Sequence, residues 1–220
     1  MSNHLAIAVV TATLHELVQA AVSEAVPGVS VRIGPPRAVL SSESEVSLYL
    51  YHLTPNAQLR NSSLPTRRHD GAQVAPTRVA VDLHYMIAFS GESQLATETM
   101  LGSVLLAMES FPVLTGKEIR RVIRASGAYS YLKDSDLPED EHRVKLTPEY
   151  PTFEEMTKLW SVFFQIAQRP SLQYLASPVI LASGPKVIPP PPSERRLLVR
   201  HNDGREELAA EPRPGRSHGS

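Results

Sequence analysis

The sequence predicts an α/β fold: a single mixed β-sheet packed with about four helices, followed by an extended C-terminal tail. Three observations carry this. Val79, Val81, Leu83, Tyr85, Ile87 and Phe89 recur at every second position, with Ala80, Asp82, His84, Met86 and Ala88 between them, which is the period of a strand with one buried face. After Ser90-Gly91 the period changes: Leu101, Val104, Leu105 and Met108 stand at i, i+3, i+4 and i+7, a helix that Ser90 or Ser93 is placed to cap and that Pro112 ends. From Gly184 onward, Pro185 and Pro189 to Pro192 form a stiff spacer with no periodic apolar residues.

The other elements follow in order. Residues 4–26 read as a helix with the apolar stripe Val10, Leu14, Leu17, Val18, Ala21 and Ala25, ended by Pro27-Gly28. Val29, Val31 and Ile33 form a short strand, and residues 46–53 a second one, expected to be central because both of its faces are partly apolar. Residues 54–77 have no period, and loops of that length usually contact something. Thr115 is placed to cap a short basic helix carrying Lys117, Arg120, Arg121 and Arg124, whose plainest reading is a solvated face. Residues 125–142 are polar, and residues 143–149 supply another strand. Thr152-Phe153-Glu154-Glu155 is a capping box opening a helix with Met156, Leu159, Trp160, Phe163 and Ala167 inward, stopped by Arg169-Pro170. The last core strand, residues 172–182, contains Pro178 and therefore belongs at an edge or carries a bulge. In the tail, Leu197, Leu198 and Val199 precede the turn His201-Asn202-Asp203-Gly204, and residues 205–209 return as a second strand.

At 220 residues and 42% hydrophobic content the chain can bury one good core, expected over residues 1–183 with residues 184–220 as linker and arm. A net charge of -1 gives no reason to expect a nucleic-acid partner. The absence of cysteine excludes disulfides, thiolate nucleophiles and sulfur-ligated metals, and fits a reducing compartment. No basic residue precedes the apolar run Leu5 to Leu14, and His15-Glu16 follow it, so neither an export signal nor membrane insertion is expected.

Catalytic signatures are sparse. Asp82 and His84 share a strand face, a spacing that can orient an imidazole or supply two metal ligands, yet no third ligand stands at a matching distance. They read as polar residues on a solvated or interface face, and His69-Asp70 reads the same way. No phosphate-cradling glycine run and no GxSxG elbow is present, so no cofactor and no catalytic residue is expected.

The ordered residues resemble the cap, or tail-terminator, proteins of phage-tail-like extracellular contractile injection systems. The resemblance runs from residues 3–10 through 46–53 and the cluster Asn56-Ala57-Gln58-Leu59-Arg60-Asn61. It continues through Val81-Asp82-Leu83-His84-Tyr85 to Phe89, residues 98–106, Phe111-Pro112-Val113-Leu114, residues 151–156, Leu159-Trp160-Ser161, Leu172-Gln173-Tyr174 and Ser177-Pro178-Val179. It implies a tail-terminator-like fold, a homo-hexameric ring, sheath and inner-tube proteins as partners, a role ending tube and sheath away from the baseplate, and no enzyme activity. Assembly is then expected in the cytoplasm. Asn56, Gln58, Arg60 and Asn61 are the expected contact residues, and Leu197, Leu198, Val199, Arg200 and Arg205 form a docking arm, because a lone hairpin is marginal in water. Two other readings stay open: a small hydrolase or metal-binding enzyme using Asp82, His84 and His52, and a non-ring adaptor that binds through its tail.

Overall fold

The computed structural model describes residues 3–38, 43–59, 78–125, 127–140, 142–163, 166–182, 197–200 and 206–209. The chain divides into two compact units, Met1–Leu64 with Pro76–Gly184, and Pro65–Ala75 with Pro185–Ser220. Among the described residues the first unit holds strands β1 (Ser30–Ile33), β2 (Glu45–Pro55), β3 (Arg78–Ser90), β4 (Val113–Leu114), β5 (Val144–Glu149) and β6 (Ser171–Ala182). It also holds helices α1 (Ala6–Ala25), α2 (Ala96–Ser110), α3 (Gly116–Ala125) and α4 (Phe153–Ser161), with two 3-10 helices, Gly127–Asp134 and Leu137–Glu139. The strands form one mixed sheet in the order β1-β2-β3-β6-β5-β4, in which β1–β2 is parallel and the other pairs are antiparallel. In the second unit β7 (Leu197–Arg200) and β8 (Glu206–Ala209) pair as an antiparallel hairpin.

The alternation along β3 aims Val81, Leu83, Tyr85, Ile87 and Phe89 into the main core. There they meet Val46 and Leu48 of β2, Leu146 of β5 and Tyr174, Ala176 and Val179 of β6. Val9, Val10, Leu14, Val18 and Val22 of α1, Met100, Val104 and Met108 of α2, and Ile119, Val122 and Ile123 of α3 close this face. Each of the larger apolar side chains contributes about 1.5–3 kcal/mol by leaving water. Helix α1 is long and apolar enough to cross a membrane, so its length does not argue against insertion; its inward face is instead buried in this core. Its polar side chains also close the sheet's outer edge. The Val31 N–H donates to Gln19 Oε1 at 2.9 Å, and His15 Nε2 lies 3.0 Å from the Val31 carbonyl oxygen, so main-chain groups that would otherwise recruit another strand are occupied.

β2 is central, as its two partly apolar faces imply. Pro178 resides in a central strand, yet at a bulge. Val81 pairs with Val179 and Leu83 with Ala176, so β6 is one residue longer there, and the last β5 partner on the other side is Ser177. A proline at that point removes no ladder donor.

Three expectations need correction, and one short strand was not foreseen. Neither Ser90 nor Ser93 caps α2 through its side chain: Ser90 ends β3, Leu95 precedes the helix in the left-handed region (φ 64°), and Ser93 contributes only its carbonyl, to Ala96 N–H at 3.2 Å. Residues 113–114 form an edge strand against β5, too short to show a period. Within residues 125–142 lie the two 3-10 helices, where Gly116 packs so closely that an added Cβ would sit 2.2 Å from the Pro138 carbonyl oxygen. Finally α4 stops at Ser161, eight residues before Arg169, because Phe163 N–H turns back to Trp160 O at 3.1 Å and Ile166 N–H to Phe163 O at 3.2 Å, which keeps the aromatic stripe inward without a helix. Its capping box forms as expected, with Thr152 N–H donating to Glu155 Oε2 at 2.8 Å, and the Glu155 carboxyl is held below its usual range by those Thr152 hydrogen bonds.

Candidate functional site

The second face of the sheet is only half covered. Trp160 of α4 buries Met86 and Ala88, with Tyr49, Tyr51, Met156, Leu159, Phe163 and Ile166 packed around them. Beyond α4 the same face turns polar, and this is where Asp82 and His84 lie.

A register shift creates that polar half. Leu50 opposes Tyr85 but His52 opposes His84, so Tyr51 is an extra residue in β2. Two residues facing one at a bulge both lean to the same side, and the parity of everything after them is inverted. Hence Leu53 opposes Leu83 on the core side, whereas Thr54 opposes Asp82 and His52 opposes His84 on the polar side. The bulge also leaves the Tyr51 ring between α4 and the polar patch. Its hydroxyl donates to Gln173 Oε1 at 3.0 Å, and burial, with the Glu149 carboxylate adding to it, pushes its pKa up to about 12.

Two connected sets of hydrogen bonds occupy the patch. In the first, Asn56 is buried at 7% exposure and its Nδ2 donates to Asp82 Oδ1 at 2.8 Å and to Ser177 Oγ at 3.2 Å. Its Oδ1 accepts from Leu59 N–H at 2.9 Å, its own N–H donates to Ala80 O at 2.9 Å, and the Ser177 hydroxyl donates to the same Asp82 oxygen. In the second, His84 Nδ1 lies 3.1 Å from both carboxylate oxygens of Glu149, and Nε2 lies 3.0 Å from Thr54 Oγ1. A carboxylate only accepts, so Nδ1 donates to it, and Nε2 is paired with the threonine hydroxyl, which can donate or accept. The His52 ring lies over that of His84, centroids 5.4 Å apart.

The structure places Asp82 and His84 on one face, as the sequence predicts, adds His52 to that face through the bulge, and ties the first two to structural partners. The Asp82 oxygen that makes these bonds is taken by Asn56 and Ser177, and both His84 nitrogens have partners. Among the described residues no three His, Asp or Glu side chains are grouped to hold a metal ion. An open cleft on this side of the sheet is lined by Tyr51, Glu149, Tyr150, Pro151, Glu155, Leu159 and Gln173, and none of Asp82, His84 and His52 lines it.

Of the expected contact residues, Asn56 is an internal clamp on the chain leaving β2, Gln58 is exposed, and Arg60 and Asn61 lie outside the described residues. Leu197, Leu198, Val199 and Arg200 form β7, and Arg205 lies outside the described residues, as does His69-Asp70. Sequence reasoning missed Thr54, Glu149 and Ser177, which meet the patch from β2, β5 and β6, because nothing local marks a residue whose partner is 65 or 95 positions away. It also missed the exposed apolar side chains around α4, Tyr150 at 88%, Phe153 at 80% and Val162 at 69% exposure.

A helix-covered mixed sheet, with polar side chains bonded to one another on one face and apolar side chains exposed around α4, defines an α/β domain. The chain belongs to the Pvc16 N-terminal domain family, whose profile matches residues 9–195. Two solved structures share the fold. One is the sheath/tube terminator, in its extended state, of the extracellular contractile injection system PVC, with 16% sequence identity and a TM-score of 0.51 over 94% of this chain and 64% of that one. The other is the anti-feeding prophage cap, a tube-terminating cap, with 19% identity and a TM-score of 0.53 over 86% of this chain and 60% of that one. This chain therefore spans less than two thirds of the length of either. No curated protein matches its sequence.

Proposed function

We propose that this protein is a structural cap that terminates the inner tube and contractile sheath of a phage-tail-like injection particle, as a homo-hexameric ring at the end away from the baseplate. The observation that carries this reading is the family match over residues 9–195, joined to a fold shared with two terminators. The domain acts by contact and not by turnover: its Asp82 and His84 stabilise the sheet face, and its recognition elements are the exposed Gln58 segment, the α4 surface and the arm containing β7. Its partners are then other copies of itself and the sheath and tube proteins, met in the cytoplasm as the particle assembles.

The arm has a physical rationale. A hairpin of two four-residue strands is marginal alone, and a strand added to a neighbour's sheet edge gains main-chain hydrogen bonds without demanding a particular sequence. Six such arms on one ring hold through effective concentration although each is weak. Electron microscopy and native mass spectrometry of the purified protein test the reading. Rings of six copies that bind isolated tube or sheath ends support it; a monomer that binds neither overturns it.

A further inference from the structure

Helix α3 carries Lys117, Arg120, Arg121 and Arg124 at i, i+3, i+4 and i+7, so all four cations share one face. All four are exposed, while Ile119, Val122 and Ile123 on the other side are buried and fix the orientation of the stripe. Glu118, the acid on this helix, is engaged elsewhere: its Oε2 accepts from Thr115 N–H at 2.8 Å and from the Thr115 hydroxyl at 2.9 Å, a capping box. Among the described residues no ion pair engages any of the four cations. With Phe111, Thr115 and Glu118 they line one open cleft of about 660 Å3.

Like charges at these spacings repel, so the free protein holds a stripe that destabilises its own helix, on a chain whose net charge is only -1. An anionic group set against the stripe would relieve that repulsion. The stripe is short, about 10 Å at the helical rise per residue. Gly116 at its start packs against Pro138, and the exposed acid Glu139 follows that contact in the chain. A stripe of this length, on a chain of net charge -1, matches a short segment with discrete carboxylates better than a long, uniformly charged polyanion. Guanidinium groups bind carboxylates through paired hydrogen bonds, and the half-buried Phe111 ring offers an apolar floor.

We infer that the α3 cleft is a docking site for a short acidic polypeptide segment of a partner protein, one presenting Asp or Glu at three- and four-residue spacing. The site does not depend on the cap reading, since it follows from charge and shape alone. Full-length protein is titrated with a labelled helical peptide of about three turns carrying Glu at i, i+3, i+4 and i+7, and with the same peptide carrying Lys. An oligonucleotide and inorganic phosphate serve as competitors. The Glu peptide binds, and at least about tenfold less tightly at about 300 mM than at about 50 mM salt. Arg120→Gln with Arg121→Gln weakens it at least about tenfold without changing the melting temperature, and Arg120→Glu with Arg121→Glu binds the Lys peptide instead. Lys117→Gln with Arg124→Gln is the second pair should the first not fold. Three results overturn the inference: no binding of the Glu peptide, undiminished binding by the glutamine variants, or displacement by oligonucleotide or phosphate at lower concentration than by unlabelled peptide.

Discussion

Asn56→Ala separates a structural clamp from a surface contact. The side chain makes three hydrogen bonds, to Asp82, Ser177 and the Leu59 N–H, from a position only 7% exposed. Alanine removes the acceptor of one Leu59 N–H bond and one donor to Asp82, while the Ser177–Asp82 bond survives. At about 1 kcal/mol or somewhat more per buried hydrogen bond removed, the loss is about 2–3 kcal/mol. For a domain of this size each kcal/mol moves the melting temperature by about 2–4 °C, so a fall of about 4–12 °C is expected. Asn56→Asp is worse near neutral pH, because it replaces a donor to Asp82 by a second carboxylate. At a separation of about 4 Å and an effective dielectric constant of about 20 the repulsion alone is about 4 kcal/mol. The pair escapes by sharing a proton, which raises its folded-state pKa above the unfolded value. Its contribution is therefore retained at acid pH and lost as pH rises, and the Asn56→Asp deficit shrinks on acidification. Asp82→Asn in the same background restores a donor and recovers most of the loss. Urea unfolding followed by circular dichroism at acid and at neutral pH measures all of this. Asn56→Ala within about 0.5 kcal/mol of wild type, or Asn56→Asp no worse than Asn56→Ala at neutral pH, refutes the clamp.

Gly116→Ala puts a methyl group 2.2 Å from the Pro138 carbonyl, a backbone atom that cannot swing away, and is expected to cost about 1–3 kcal/mol in the same unfolding assay; an unchanged midpoint contradicts the close packing. Burial raises the pKa of Tyr51 and Tyr174 to about 12, and that of Tyr85 as well, so their stabilising effect is complete below the unfolded value of about 10 and is lost as pH climbs through the folded one. Ultraviolet titration should show these three ionising only as the fold is lost, and all seven tyrosines ionising near pH 10 in a still-native protein speaks against it. Deleting residues 185–220 removes none of the strands or helices of the main core, the last of which ends at Ala182, so the melting transition should persist with a change of no more than about 1 kcal/mol; collapse of the transition refutes this. Leu198→Pro removes a main-chain donor from β7 and restricts the residue before it, so the ring should form while less of it co-purifies with assembled particles, and wild-type occupancy counts against the arm.

The polar half-face and the basic stripe differ in how they belong to the molecule. Asp82 Oδ1 and both His84 ring nitrogens are matched by neighbours, so these groups behave as part of the sheet. On α3 no ion pair among the described residues matches the cations, and the acidic partner inferred above would supply that match. The apolar side chains Tyr150 and Phe153 resemble the second case, since exposure of 88% and 80% leaves large rings in water.

What the sequence determined by itself is what depends on neighbours along the chain. The alternation of residues 79–89 set which side of β3 faces the core, the Thr152–Glu155 spacing started α4, the stripe on residues 6–25 laid α1 on the sheet, and Pro178 limited its strand to an edge or a bulge, because strand period, capping and proline chemistry act within a few residues. What only the tertiary structure decided is what depends on register. The extra residue at Tyr51 inverts the parity of β2, and one inverted step brings Thr54 to Asp82, His52 to His84 and Leu53 to Leu83, pairings that no local pattern contains. The same shift, joined to Glu149 from β5 and Ser177 from β6, turned a suspected Asp–His pair into a closed hydrogen-bonded patch and turned Asn56 from a surface contact into a buried clamp. Side-chain period is two residues in a strand, so a single inserted residue reassigns every later side chain to the other face, and only the paired strands fix where that insertion falls.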